Sequence, residues 1–162
     1  MVKADTFAKL MGHSPATSIK YVRVEGLPNS KVGPNARNFY KKQNQYFQEE
    51  KKRFEEYLLA YSAIFDPLLE QISLDIHFFP GDKRHRDVDN LIACCKPWID
   101  AMQGNVIPKD DGRYLKSIRG EYESPVDEAY TLINIIYEVD DGKKKETNEI
   151  LFNESTKILY SI

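Results

Sequence analysis

Between Ile72 and Phe79 the chain alternates without a break: Ile72, Leu74, Ile76 and Phe78 interleave with Ser73, Asp75, His77 and Phe79, and Pro80 and Gly81 end the run. A period of two puts the first four on one face of a strand, so this chain must form a sheet with one buried side. A helical period precedes it. Across residues 43–65 the positions Phe47, Phe54, Leu58, Tyr61 and Phe65 recur at spacings of seven, four, three and four. They form one stripe of a long helix whose charged face comes from residues 48–53, and core packing accounts for the aromatics without a cofactor.

The remaining elements follow from local pattern. Residues 18–25 read as a first strand, with Ile19, Tyr21 and Arg23 on one face and Lys20, Val22 and Val24 on the other. Pro28, Gly33 and Pro34 mark a loop over residues 26–38. A helix is expected over residues 90–102, kinked or divided by Pro97, which lacks an N–H and pushes Lys96 away from the α region. A turn at Gly104 and Asn105 and a short extended piece at residues 106–108 come next. Residues 114–122 and 129–139 predict two strands joined as an antiparallel hairpin by a turn over residues 124–128. The fold class is α+β: a single domain with a small mixed sheet, a long helix after the first strand, and a helix carrying Asp87-Val88-Asp89-Asn90. At 162 residues the chain reads as an N-terminal extension (1–17), one domain (18–140) and a tail (141–162) without a clear element.

Composition narrows the class. With 41% hydrophobic and 30% charged residues there is enough apolar material for a core, and no run of 18 apolar residues exists to span a bilayer. The N-terminus mixes charges with its apolar residues, unlike a secretory leader, so a cytoplasmic protein is expected. Cys94 and Cys95 are adjacent, which suits neither a zinc motif nor a disulfide framework and points to two buried thiols. The net charge of −2 hides a gradient: residues 20–53 hold nine Lys or Arg against three acids, and residues 121–162 hold four against ten. Lys31, Arg37, Lys41 and Lys42 share their stretch with Phe39, Tyr40 and Tyr46, a mixture suited to phosphates and unstacked bases.

The densest charge lies at residues 82–90, where Lys83, Arg84, His85 and Arg86 crowd Asp87 and Asp89. If that segment is extended, the two carboxylates project to one side, and Asp89 or Asn90 would cap the following helix. A second acidic pair is Asp110-Asp111. Carboxylates converging from two loops require a cation between them, and hard oxygen ligands suit magnesium or manganese. Lys96 lies seven residues, two helical turns, beyond Asp89 and would return to its face. Carboxylates, cations and a lysine on one surface are what phosphodiester cleavage needs, with water as nucleophile. His77, beside Asp75, reads as a hydrogen-bonded structural histidine, His85 as a phosphate or catalytic neighbour, and Trp98 as core or dimer interface.

Arg86-Asp87-Val88-Asp89-Asn90-Leu91, then Lys96, Ile99-Asp100-Ala101-Met102, Gly104-Asn105-Val106-Ile107 and Asp110-Asp111 resemble, in order, the signature of the RusA-like Holliday-junction resolvases. The resemblance covers about residues 72–137. It departs at the lysine, which that family places where this chain has Ala93. The resemblance implies a magnesium-dependent (Mg2+ or Mn2+) structure-selective endodeoxyribonuclease that resolves four-way DNA junctions by paired nicks. Asp87, Asp89 and Asp111 would hold the metal and Lys96 would be catalytic, supported by Asn90, Asp100 and Asp110. Lys31, Arg37, Lys41, Lys42, Lys83, Arg84, Arg86 and Arg113 are the expected DNA contacts. Two symmetry-related nicks imply a homodimer acting on branched DNA. The alternatives are a non-cleaving DNA-binding or assembly protein of the same fold, and a metal phosphodiesterase acting on RNA or another phosphate ester.

Overall fold

The computed structural model describes residues 16–34, 36 and 42–139. Strand β1 (Ala16–Glu25) leads through a 3-10 turn (Ser30–Val32) to the long helix α1 (Gln43–Ala60). Strand β2 (Ile72–Phe79) is followed by two short helices, α2 (Val88–Cys94) and α3 (Lys96–Met102), and then by strands β3 (Leu115–Tyr122) and β4 (Tyr130–Val139). The chain forms two compact units. One is Ile19–Ile136; the described residues of the other are Ala16–Ser18 in β1 and Tyr137–Val139 in β4.

The α+β class holds, but the strand order β1-β4-β2-β3 overturns the expected hairpin. β3 pairs with β2, in parallel, with Leu74 opposite Ile118 and Ile76 opposite Gly120. Parallel neighbours need a crossover connection, which here is the α2–α3 segment. The link from β3 to β4 passes over the end of β2, where the Val126 N–H donates to the Pro80 carbonyl at 2.8 Å. β4 then starts beside the ends of two other strands: the Gly26 N–H donates to Ala129 O at 2.8 Å, and Tyr130 stacks on Phe79 at 4.3 Å. It therefore runs against both β1 and β2.

The alternation of β2 works as the sequence predicts. Ile72, Leu74, Ile76 and Phe78 are buried, and so are Val22 and Val24 of β1 and Ile133 and Ile135 of β4. α2 lies so close to β3 that a Cβ on Gly120 would sit 2.7 Å from Ile92 Cδ1 and 3.1 Å from Val88 Cγ1. Trp98 is core, stacked on Phe54 at 5.6 Å, with its indole N–H donating to Glu50 Oε2 at 2.9 Å. Cys94 and Cys95 are buried free thiols, and burial raises the pKa of both.

Two boundaries move. α1 stops at Ala60, five residues before the apolar period ends, because Ser62 turns left-handed (φ 54°). The Ser62 N–H then donates to Leu59 O and the Ala63 N–H to Leu58 O, closing the helix end with a Schellman pair of bonds. The 90–102 helix is divided, as Pro97 requires, but the break falls at Cys95 and Lys96 opens α3. Pro97 sits in the first turn of α3, where no intrahelical N–H is needed. Among the described residues no helix is long and apolar enough to cross a membrane.

Candidate functional site

The loop from Pro80 to Asp87 is braced by its own charges. The Arg86 guanidinium donates to Asp82 Oδ1 at 2.8 Å and Asp82 Oδ2 at 3.0 Å, and reaches the Tyr122 hydroxyl at 3.1 Å. Tyr122 in turn donates to the Arg84 carbonyl at 2.8 Å, and the Arg84 N–H donates to Asp82 Oδ1 at 3.0 Å. The Arg86 hydrogen bonds, then the Arg84 N–H, hold the Asp82 carboxyl down at about 2. Arg86, expected as a DNA contact, is therefore committed to positioning the loop.

That loop delivers Asp87 as the N-cap residue of α2, extended at φ −81° and ψ 128°. The cap lies two or three positions earlier than expected: Asp89 and Asn90, expected as caps, fall inside the first turn. Asp89 is then two residues from Asp87 across a helix start, not along a strand. Asp87 makes no side-chain cap bond, and its Oδ2 accepts from Asn90 Nδ2 at 3.5 Å. Both carboxylates are exposed, and neither forms an ion pair among the described residues.

Lys96 does not reach the Asp89 face through a continuous helix, because the helix breaks at Cys95. It is instead gathered with two other expected site residues. Its Nζ lies 2.8 Å from Asp100 Oδ1, one turn on, and is also hydrogen-bonded to Asp110 Oδ2 from the following loop. Partial burial works to lower the lysine pKa, but the bonds to Asp100 and Asp110 outweigh it and raise the pKa overall. The Lys96 contact holds the Asp110 carboxyl below its ordinary range. A lysine held protonated in this way serves as a fixed positive charge and not as a base.

Asp111 faces a different partner. Arg113 donates from Nε and Nη2 to its two oxygens at 3.0 and 2.8 Å, and the Arg113 N–H adds a bond at 3.0 Å. These bonds hold the Asp111 carboxyl down at about 2. Arg113, expected to meet DNA, is thus spent on a neighbour two residues away. Asp87, Asp89 and Asp111 do not gather into one cluster: among the described residues, the group of three His, Cys, Asp or Glu ligand atoms lying within 4.8 Å of one another is His77, Glu121 and Glu123.

Of the other basic residues, Lys42, Lys83 and Arg84 are exposed, and Lys31 lies 4.9 Å from the Tyr46 ring centroid. Arg37 and Lys41 fall outside the described residues. His77 is hydrogen-bonded to Asp75 Oδ2 at 3.1 Å, as expected, and also to Glu123 Oε1 at 2.7 Å, which sequence reasoning did not foresee. The Glu123 bond, against a smaller cost of burial, raises its pKa. Only the parallel β2–β3 register reveals that pairing, because it sets His77 opposite Glu121. The sequence matches no protein-family model, and no curated protein matches it significantly.

Proposed function

We propose that this chain is a magnesium-dependent endodeoxyribonuclease that acts on four-way DNA junctions as a two-fold homodimer. The observation that carries the reading is the Lys96–Asp100–Asp110 cluster: three residues of the RusA-like pattern, spread over 14 positions, meet at one point. Lys96 would bring positive charge to a phosphate in the transition state by exchanging one of its two carboxylate partners. Asp87 and Asp89 are exposed carboxylates without ion pairs, a donor set that fits a hard divalent cation, and Asp111 would join them by exchanging Arg113. Magnesium, when bound, supplies charge that polarises the scissile phosphate and makes water a competent nucleophile. Of the basic residues expected at DNA, Lys42, Lys83 and Arg84 are exposed and would meet backbone phosphates.

The second reading, a DNA-binding protein that does not cleave, is favoured by one observation: Asp111 is neutralised by a bidentate arginine, and the carboxylates of Asp87, Asp89 and Asp111 do not all lie within 4.8 Å of one another. One assay separates the two. Incubation of a synthetic four-way junction with the full chain and MgCl2 is expected to give nicks that Asp89→Asn abolishes while much of the junction binding persists. Binding without nicks at any magnesium concentration selects the second reading.

A further inference from the structure

β2 buries its even-numbered side chains, so Asp75 and His77 stand on the opposite face, away from Gly120 and the α2 residues packed against it. Residues opposite each other in a parallel pair point the same way, so Arg119 lies beside Asp75 and Glu121 beside His77. Glu123 extends the ladder by one bond, its N–H donating to Phe78 O at 2.9 Å. The result is an imidazole facing two carboxylates: Nδ1 lies 2.7 Å from Glu123 Oε1 and 3.9 Å from Glu121 Oε2. The other ring nitrogen, Nε2, lies 3.1 Å from Asp75 Oδ2.

Charge does not close on this face. Three carboxylates meet one imidazole, and the nearest guanidinium is Arg119, 3.6 Å from Glu121 Oε2. Even a protonated ring leaves the group one positive charge short, and Asp75 Oδ1 is buried with no hydrogen-bond partner. A divalent cation beside a neutral imidazole balances the group. We propose that His77 Nδ1, Glu121 and Glu123 bind a divalent cation of the zinc class, with Asp75 orienting the imidazole from outside the coordination shell.

Ligand type selects the metal. An imidazole nitrogen with two carboxylates suits zinc and disfavours magnesium, which takes oxygen ligands and keeps its waters. Bonds of about 2.0 Å in a tetrahedron set ligand atoms about 3.3 Å apart, and the observed separations of 2.7 and 3.9 Å straddle that value. With a metal bound, the Asp75 contact would hold the ring proton on Nε2 while Nδ1, hydrogen-bonded to Glu123 in this structure, gives its lone pair to the metal, the arrangement that outer carboxylates impose on metal-bound histidines. Three protein ligands leave one position for water or an exogenous ligand.

The test is a calorimetric titration of the full chain with ZnCl2, with the His77 ring protons followed by NMR. One zinc per chain is expected at this site, perturbing those protons, with MgCl2 unable to displace it. His77→Gln, Glu121→Gln and Glu123→Gln should each weaken binding at least tenfold, and Asp75→Asn by about 10- to 100-fold. Glu55→Gln, on the exposed face of α1, should leave zinc affinity unchanged. Glu121 is exposed, so its variant keeps the test valid if His77→Gln does not fold. No zinc binding up to millimolar concentration, or binding that all four variants retain, would show His77 to be an imidazolium clamped between Asp75 and Glu123, and the proposal would fall.

Discussion

Lys96 is the residue on which the functional reading turns, and its surroundings decide which experiment is informative. Held protonated by Asp100 and Asp110, it would contribute charge and not proton transfer to the proposed reaction, so its removal should act on the transition state more than on the bound ground state. Lys96→Ala is expected to slow junction cleavage by about 100-fold or more, while affinity measured by gel shift changes less than about tenfold. An unchanged rate would move the role to Lys83 or Arg84. Asp82 gives a second residue-scale test, in pH. Its folded pKa of about 2 lies below the ordinary 3.8, so the Arg86 brace stabilises the protein above pH 3.8 and is lost as pH falls toward 2. A carboxyl NMR titration should find Asp82 titrating near pH 2; a midpoint near 3.8 would mean that the brace does not form in solution. The residue types of this site were legible in the sequence, and their partners were not. Arg86 and Arg113 look like phosphate contacts until the turns that carry them fold back onto Asp82 and Asp111.

Element identities were carried by local pattern, because period-two and helical stripes depend on residues a few positions apart. The strand over 72–79, the long helix from Gln43 and the division at Pro97 all follow from such short-range signals. Pairing is nonlocal, and there the pattern runs out. Two strands separated by seven residues favour a hairpin, yet β2 lies between β3 and β4 because the crossover through α2 and α3 returns the chain parallel to β2. The His77 cluster is a direct product of that register and was invisible without it. The α2–β3 contact provides the element-scale prediction. Adding a methyl at Gly120 meets three atoms of two stiff β-branched side chains at 2.7, 2.9 and 3.1 Å. Gly120→Ala should therefore cost about 1–3 kcal/mol in urea unfolding, and the double variant with Ile92→Ala should show a smaller penalty than the two single costs added. A neutral Gly120→Ala would contradict this close packing of α2 on the sheet.

For the whole molecule, the net charge of −2 conceals both the uneven distribution of charge and the exposed cations Lys42, Lys83 and Arg84. Steering of a polyanion depends on local potential, so junction binding should weaken steeply with salt. Under the proposed function, one site per chain and two symmetric nicks would require two chains, and light scattering at micromolar concentration should then give about 38 kDa, twice the chain mass. A strict monomer that still nicks in pairs would defeat the dimer. The most direct measurement of the central claim is the product formed from a supercoiled plasmid with an extruded cruciform, incubated with the full chain and MgCl2. Linear DNA, the product of two nicks across one junction, is expected, and none with Asp89→Asn. Plasmid that is bound yet stays supercoiled at every magnesium concentration would contradict it.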